Sequence, residues 1–278
     1  MTKQTTLLLP STRRLRQLGA TLGLCLVLAA PVTFGASLLA GFDAYEKGEF
    51  SVALQQFRAL AEEGEEEAQY NLALMYEQGL GTPADPLEAA RWFSAAAQQG
   101  SASAQYRLAM LYDRGEGVSE DAREASKWLE RAAAQGHRTA QFTLGAHYYS
   151  GRGVARDFGR ALHWYRQAAE QGHASAQFSL GVLYEGGKGT AQDFAEARRW
   201  YRMAAEQGHP GAQNNLGAMH LLGKGGEPDA VQAYMWFSIA SVRGQGETGL
   251  QLATEQMTLD QIEQAKVMAQ RWLKGRAY

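Results

Sequence analysis

The stretch AQFTLGAHYYSGRGVARDFGRALHWYRQAAEQGH, residues 140–173, decides how this chain reads. Ala140, Leu144 and Tyr148 stand four apart, which places them on one face of a helix. Ala161, Trp164 and Ala168 follow at three- and four-residue steps and mark a second helix. Gly151-x-Gly153 and Asp157 form the turn between them. The same spelling recurs on both sides. Trp92, Trp128, Trp164, Trp200 and Trp236 each lie 36 residues after the last. A fixed period of that size means one small helical unit stacked on copies of itself. Ala68, Ala104, Ala140, Ala176 and Ala212 are each followed by a glutamine, Gln69, Gln105, Gln141, Gln177 and Gln213. Tyr76, Tyr112, Tyr148, Tyr184 and His220 share one position, and no insertion interrupts the series.

The turn residues say where each second helix starts and stops. Asp85, Asp121, Asp157, Asp193 and Asp229 suit the N-cap, where a side-chain oxygen accepts from an orphan backbone N–H. Pro86 fits the first helical position, because its missing N–H has no partner there anyway. Glu88, Glu124, Glu196 and Gln232 stand three after their aspartates, the spacing of a capping box. Gly100, Gly136, Gly172, Gly208 and Gly244 close the second helices in the left-handed conformation.

Residues 140–176 carry a family resemblance. The pattern Leu144-Gly145, Tyr148, Gly151-x-Gly153-Val154, Asp157, Ala161, Trp164-Tyr165, Ala168-Ala169, Gly172-His173 resembles the Sel-1-like repeat family from about Gly41 onward. The resemblance implies a tetratricopeptide-like superhelix that serves as an adaptor, with the first helices lining its concave side. The expected fold is all-α, a right-handed α-solenoid of about five 36-residue helix-turn-helix repeats with helical caps. Residues 1–40 read as a signal peptide or membrane anchor, 41–67 as an N-terminal half-repeat, 68–245 as the five repeats and 246–278 as capping helices. Tyr45 to Gly64 is expected as a single helix; Glu247–Met257 and Leu259–Leu273 are expected as the two helices that cover the last repeat.

The N-terminus has a different origin. Lys3, Arg13, Arg14 and Arg16 precede an uncharged run from Leu18 to Phe42, and no acidic residue occurs before Asp43. That is the layout of a secretory signal, with cleavage after Gly35 or Ala40. An uncleaved inner-membrane anchor over residues 18–40 is the rival reading, because the run is long enough to span. Without the leader 23 Lys+Arg face 29 Asp+Glu, a net charge of −6, which disfavours nucleic acid. Cys25, the only cysteine, lies in the leader, so the mature chain has no disulfide or thiol chemistry.

Signals of chemistry dissolve into the repeat. The Gly-x-Gly turns follow helices rather than strands and lack the lysine of a phosphate loop. His137, His173 and His209 share one turn position, and His147 and His163 have no ligand at metal spacing. No catalytic residue, cofactor or metal is expected. The tryptophans and tyrosines read as core.

Function then falls to positions that differ between repeats. On the first helices these are Asn71, Leu74, Met75 and Gln78; Arg107, Met110, Leu111 and Arg114; Thr143, Ala146, His147 and Ser150; and Ser179, Val182, Leu183 and Gly186. Arg107, Met110, Arg114 and His147 are the candidate partner-binding residues. The two arginines lie seven apart, so both project from one face toward an acidic segment. The expected function is a non-catalytic scaffold, a monomer in the periplasm or exported, that binds a protein partner in the cell envelope. An exported host-interaction protein is the alternative. The resemblance also brings an enzymatic reading, since cysteine-rich relatives are associated with β-lactam binding and hydrolysis. Those relatives carry cysteine pairs in their repeats, and this chain has none.

Overall fold

A computed structural model describes residues 36–275. The basic leader and its uncharged run up to residue 35, including Cys25, lie outside the described residues. Among those residues there are fourteen helices and no strand. They are α1 (Leu38–Glu46), α2 (Phe50–Glu62), α3 (Glu66–Gln78), α4 (Pro86–Gln98), α5 (Ala102–Arg114), α6 (Ala122–Ala134), α7 (Arg138–Ser150), α8 (Phe158–Glu170), α9 (Ala174–Gly186), α10 (Phe194–Glu206), α11 (Pro210–Leu222), α12 (Ala230–Ser241), α13 (Glu247–Thr254) and α14 (Leu259–Lys274). The chain divides into two compact units between Trp128 and Leu129, within α6. In the N-terminal unit each helix from α1 to α5 packs on the next. In the C-terminal unit α7 to α12 do the same, and α13 and α14 both lie against α12.

The aspartate caps form as the spacing demands. Asp85 Oδ1 accepts from the backbone N–H groups of Leu87 and Glu88, and Asp193 Oδ1 from those of Ala195 and Glu196. The returning half of the expected capping boxes is not made in α4 or α10. Glu88 turns along the helix instead, accepting from Trp92 Nε1 at 3.1 Å and pairing with Arg91. Glu196 likewise pairs with Arg199 at 3.0 Å. A charged or indole donor one turn away outcompetes the cap's own N–H. The reciprocal box does form at α14, where no such donor intervenes: Thr258 N donates to Gln261 Oε1, and Gln261 N to Thr258 Oγ1.

Trp92, Trp128, Trp200 and Trp236 are buried as expected, and the core also takes in the residue after each tryptophan. The position after each tryptophan holds Phe93, Leu129, Tyr165, Tyr201 and Phe237, all buried. In α4 the fully buried stripe is Ala89, Phe93, Ala96 and Ala97, with Ala90 and Trp92 buried at its edges. The tryptophans flank that stripe. Arg91 lies over Trp92 with its guanidinium carbon 4.9 Å from the ring centroid, and Arg199 over Trp200 at 4.5 Å. Trp164 is only partly buried, which corrects its reading as a core residue.

Glycine on the first helix lets these rings approach. A Cβ on Gly181 would stand 2.5 Å from Tyr201 Cδ1, and one on Gly145 2.6 Å from Tyr165 Cδ1. The same device reveals the first helix pair. Residues 45–64 are expected as one helix, but α1 and α2 form a hairpin in which a Cβ on Gly41 would meet Phe57 at 2.7 Å. Its turn, Lys47 to Glu49, is four residues shorter than the turn from Gly79 to Asp85. The deletion shifts α1 out of register with the 36-residue period, and Phe57 takes the buried place of Phe93.

Glutamines tie successive hairpins together. Gln69, Gln105, Gln141, Gln177 and Gln213 are buried at the starts of first helices. Their Nε2 groups donate to the carbonyls of Ala61, Ala97, Ala133, Ala169 and Ala205, in the last turns of the preceding second helices. Those carbonyls lack the i+4 bond of a helix interior and accept besides only from the N–H of the turn glycine three residues on. A second glutamine completes the rung. Gln99, Gln171 and Gln207 donate to the Oε1 atoms of Gln69, Gln141 and Gln177 at 2.8, 2.8 and 2.7 Å.

Tyr201→Ala is expected to cost about 3–5 kcal/mol, as removal of a large buried ring does. Trp164→Ala should cost less than half as much. Urea unfolding of the two variants checks the order. A larger loss at Trp164 would contradict this account of the core.

Candidate functional site

The variable positions of the first helices split into buried and accessible sets. Asn71, Leu74, Met75, Leu111, His147 and Leu183 are buried and belong to helix packing. His147 is 4% exposed and offers a partner no surface. Arg107 and Met110 are partly buried on α5, and Arg114 is exposed at its end. The three candidates on α5 lie in the N-terminal unit and His147 in the C-terminal unit.

The two arginines differ in their engagement. Arg107 Nη1 lies 3.4 Å from Glu77 Oε2, on the preceding first helix, with the Arg107 side chain 28% exposed. Arg107 also lies beside Tyr70, whose hydroxyl pKa is raised mainly by burial and lowered in part by that guanidinium. The sequence gives no hint of Glu77, because it stands thirty residues away. Arg114 pairs with Glu116 at 3.7 Å, and its side chain is 61% exposed. Such an exposed pair contributes about 0–1 kcal/mol and exchanges readily for another carboxylate.

In the C-terminal unit the accessible set lines a pocket. Tyr149, Tyr165, Phe178, Ser179 and Val182 enclose about 220 Å³ between α7, α8 and α9. Burial pushes the Tyr165 hydroxyl up to about 12, so it stays protonated at any physiological pH. Lys188 Nζ reaches Tyr149 Oη at 3.1 Å and sets a positive charge beside the pocket. The arrangement suits an apolar or aromatic side chain with an acidic neighbour.

The Gly-x-Gly turns serve packing. Gly79 ends α3 with φ 70°, and a Cβ on Gly81 would stand 2.5 Å from the Phe50 carbonyl oxygen. Among the described residues no group of three or more His, Cys, Asp or Glu side chains is placed to hold a metal ion. No described helix is long and apolar enough to cross a membrane.

The Sel1 repeat model matches residues 66–101, 102–137, 139–173, 174–209 and 210–244. The chain belongs to the Sel1 repeat family. Its structure is similar to that of a Sel1 repeat protein from Oxalobacter formigenes, with 29% identity, a TM-score of 0.74, and coverage of 87% of this chain and 99% of that one. It is also similar to c5321, a protective antigen of uropathogenic Escherichia coli strains with an SLR fold. There the identity is 29% and the TM-score 0.56, over 84% of this chain and 59% of that one. No curated protein matches the chain. Sel1 repeat proteins generally mediate protein–protein interaction.

The histidines of this Sel1 protein cap its helices. The Nδ1 atoms of His137, His173 and His209 accept from the backbone N–H groups of Ala140, Ala176 and Ala212 at 3.1, 3.3 and 3.2 Å. Phe142 stacks on His173 and Phe178 on His209, each with centroids 4.6 Å apart. His220, in the tyrosine position, accepts from Arg198 Nη2 at Nδ1, 2.7 Å away. Neutral imidazole is required in each case. Burial lowers the pKa of His173 and His209, and burial with the Arg198 charge lowers His220 to about 4. The stability these groups contribute is fully present above their unfolded value near 6.5. It is lost as pH falls below that value, for His220 through about 4, where the shift corresponds to on the order of 3 kcal/mol. Denaturant midpoints should therefore drop between pH 7 and pH 4, and His220→Tyr should reduce the drop.

Proposed function

We propose that this Sel1 repeat protein is a non-catalytic scaffold of the bacterial cell envelope that holds a protein partner. The observation that carries the reading is the open aromatic pocket on α7 and α9, formed in part at positions that vary from repeat to repeat. Tyr165 and Phe178 in its wall stand at positions that are aromatic in most repeats and build the core. Tyr149, Ser179 and Val182 in the same lining stand at positions that change from repeat to repeat. In the N-terminal unit Arg114, with Arg107 and Met110 beside it on α5, takes a partner's carboxylates. The protein acts as a monomer. The β-lactam-binding alternative loses ground because this chain lacks the cysteine pairs of the relatives that suggest it.

The envelope location rests on the charged and apolar leader. Cleavage after Gly35 leaves Ser37, which caps α1 by accepting from Ala40 N, in the mature protein. Cleavage after Ala40 removes that cap and the first turn. A mature N-terminus at Ala36, read by mass spectrometry of the envelope fraction, is the expected result. An intact leader on cytoplasmic protein would defeat the location. The likeness to c5321, a protective antigen, favours a second reading as an exported protein that meets a host. Recovery from the medium instead of the periplasm distinguishes it.

Two variants test the contact surface. Ser179→Phe fills the pocket, and Arg107→Ala with Arg114→Ala removes the charges. Each should reduce recovery of the partner from envelope extract at least tenfold while the melting temperature moves by only a few degrees. Undiminished capture by both would refute the assignment of these positions.

A further inference from the structure

The glutamine rungs end in an unfinished one. Gln69, Gln141 and Gln177 each donate one amide hydrogen bond and accept another at Oε1 from a glutamine thirty residues on. Gln99 and Gln171 use the same amide to reach the carbonyls of Gly64 and Gly136, at 2.8 and 3.1 Å. Gln213 is 2% exposed and donates to the Ala205 carbonyl like the others. The residue that should complete its rung is Arg243, one period after Gln207. Among the described residues no donor reaches Gln213 Oε1.

That acceptor faces a cavity. About 360 Å³ is enclosed where the turn at Gly208, the end of α12 and the end of α14 meet, with Gln213 in its wall. Ile239, Val242 and Trp272 supply apolar walls, and Arg243 stands at the rim. Val242 is an exposed large hydrophobic residue, which an unoccupied cavity wall explains. Gln213 Oε1 is open to that cavity, so a ligand that supplies a donor there takes the place of water rather than relieving a buried orphan.

We infer that this cavity binds a glutamine side chain of a partner peptide, with an acidic residue next to it. The internal rungs define the chemistry. A primary carboxamide offers two N–H groups, one for the glutamine Oε1 and one for the glycine carbonyl, here Gly208. A carboxylate has no hydrogen to give. An ammonium donates but must shed its hydration in a partly apolar cavity. Arg243 then receives the neighbouring carboxylate. The chain's own rungs show the matching segment: Glu170-Gln171-Gly172 and Glu206-Gln207-Gly208 both set glutamate before the ladder glutamine. A second copy does not supply the donor from its first helix pair, because Glu63 holds the ladder position there. The site is separate from the pocket on α7 to α9 and stands whether or not that pocket is used.

The test is calorimetric titration of the full chain with the acetylated, amidated peptide Arg-Gln-Ala-Ala-Glu-Gln-Gly. Saturable binding is expected, at least tenfold weaker when the second glutamine is replaced by glutamate. Arg243→Gln places the internal donor on the chain itself. It should close the rung, raise the melting temperature and lower peptide affinity at least tenfold. Arg243→Gln keeps every bond that holds the helices, so the answer does not depend on a Gln213 variant that fails to fold. No binding at millimolar peptide, equal binding of the glutamate peptide, or full affinity in Arg243→Gln would each overturn the inference.

Discussion

A buried carboxamide that bonds two helix ends at once is the constraint on which the repeats depend. The last turn of any helix leaves carbonyls without partners. In a stack of hairpins those carbonyls come under the next hairpin, where water is excluded. Gln141 gives one of them, the Ala133 carbonyl, a second donor beside the N–H of Gly136, and has an oxygen left over for Gln171. Glutamine alone among the uncharged side chains combines the reach with a donor and an acceptor. A leucine there would bury more apolar surface but give up both glutamine bonds, leaving the carbonyl only the turn glycine's N–H. A glutamate would lack the donor. Each rung therefore fixes the register of one hairpin on the next through directional bonds, which alanine-rich packing does not do by itself.

Around those rungs the packing alternates small and large. Glycine or alanine on the first helix faces an aromatic or leucine on the second, and the ring fills the space that the missing side chain leaves. Gly181 against Tyr201 and Gly145 against Tyr165 are the tightest of these first-helix pairs in the C-terminal unit, with Cβ positions 2.5 and 2.6 Å from ring carbons. Polar ends of buried rings find charged partners on the neighbouring helix. Tyr201 Oη donates to Glu185 at 2.9 Å, and Tyr148 Oη donates to Glu130 at 2.7 Å while accepting from Arg160. His220 keeps the same kind of contact through Arg198 but adds a titratable group to the core.

Once the shared positions are assigned to this scaffold, few residues remain for a partner, and they fall in separate places. Arg114 is the accessible charge on α5, the aromatic pocket is the accessible apolar surface on α7 and α9, and the Gln213 cavity is an unfilled polar acceptor at the end of the repeats. Each departs from the repeat in its own way. Arg114 replaces an uncharged residue, Ser179 and Val182 leave room where larger side chains would close the surface, and Arg243 breaks a series of glutamines.

The 36-residue period, the aspartate caps and the terminating glycines were legible in the sequence, because each is a local requirement of helix geometry and repeats in phase. The belonging to a helical repeat family followed from the same residues. Both the tryptophan and the residue after it are buried in four of the five repeats; that Trp164 alone stays partly exposed beside the buried Tyr165 was not legible, since its spacing is that of the other tryptophans. The helix α1 escaped because a four-residue deletion in its turn took it out of phase. Glu77 as the partner of Arg107, the burial of His147 and the bond between Gln171 and Gln141 all join residues on different helices. Spacing within one helix carries no information about such pairs; they exist only once the hairpins stack.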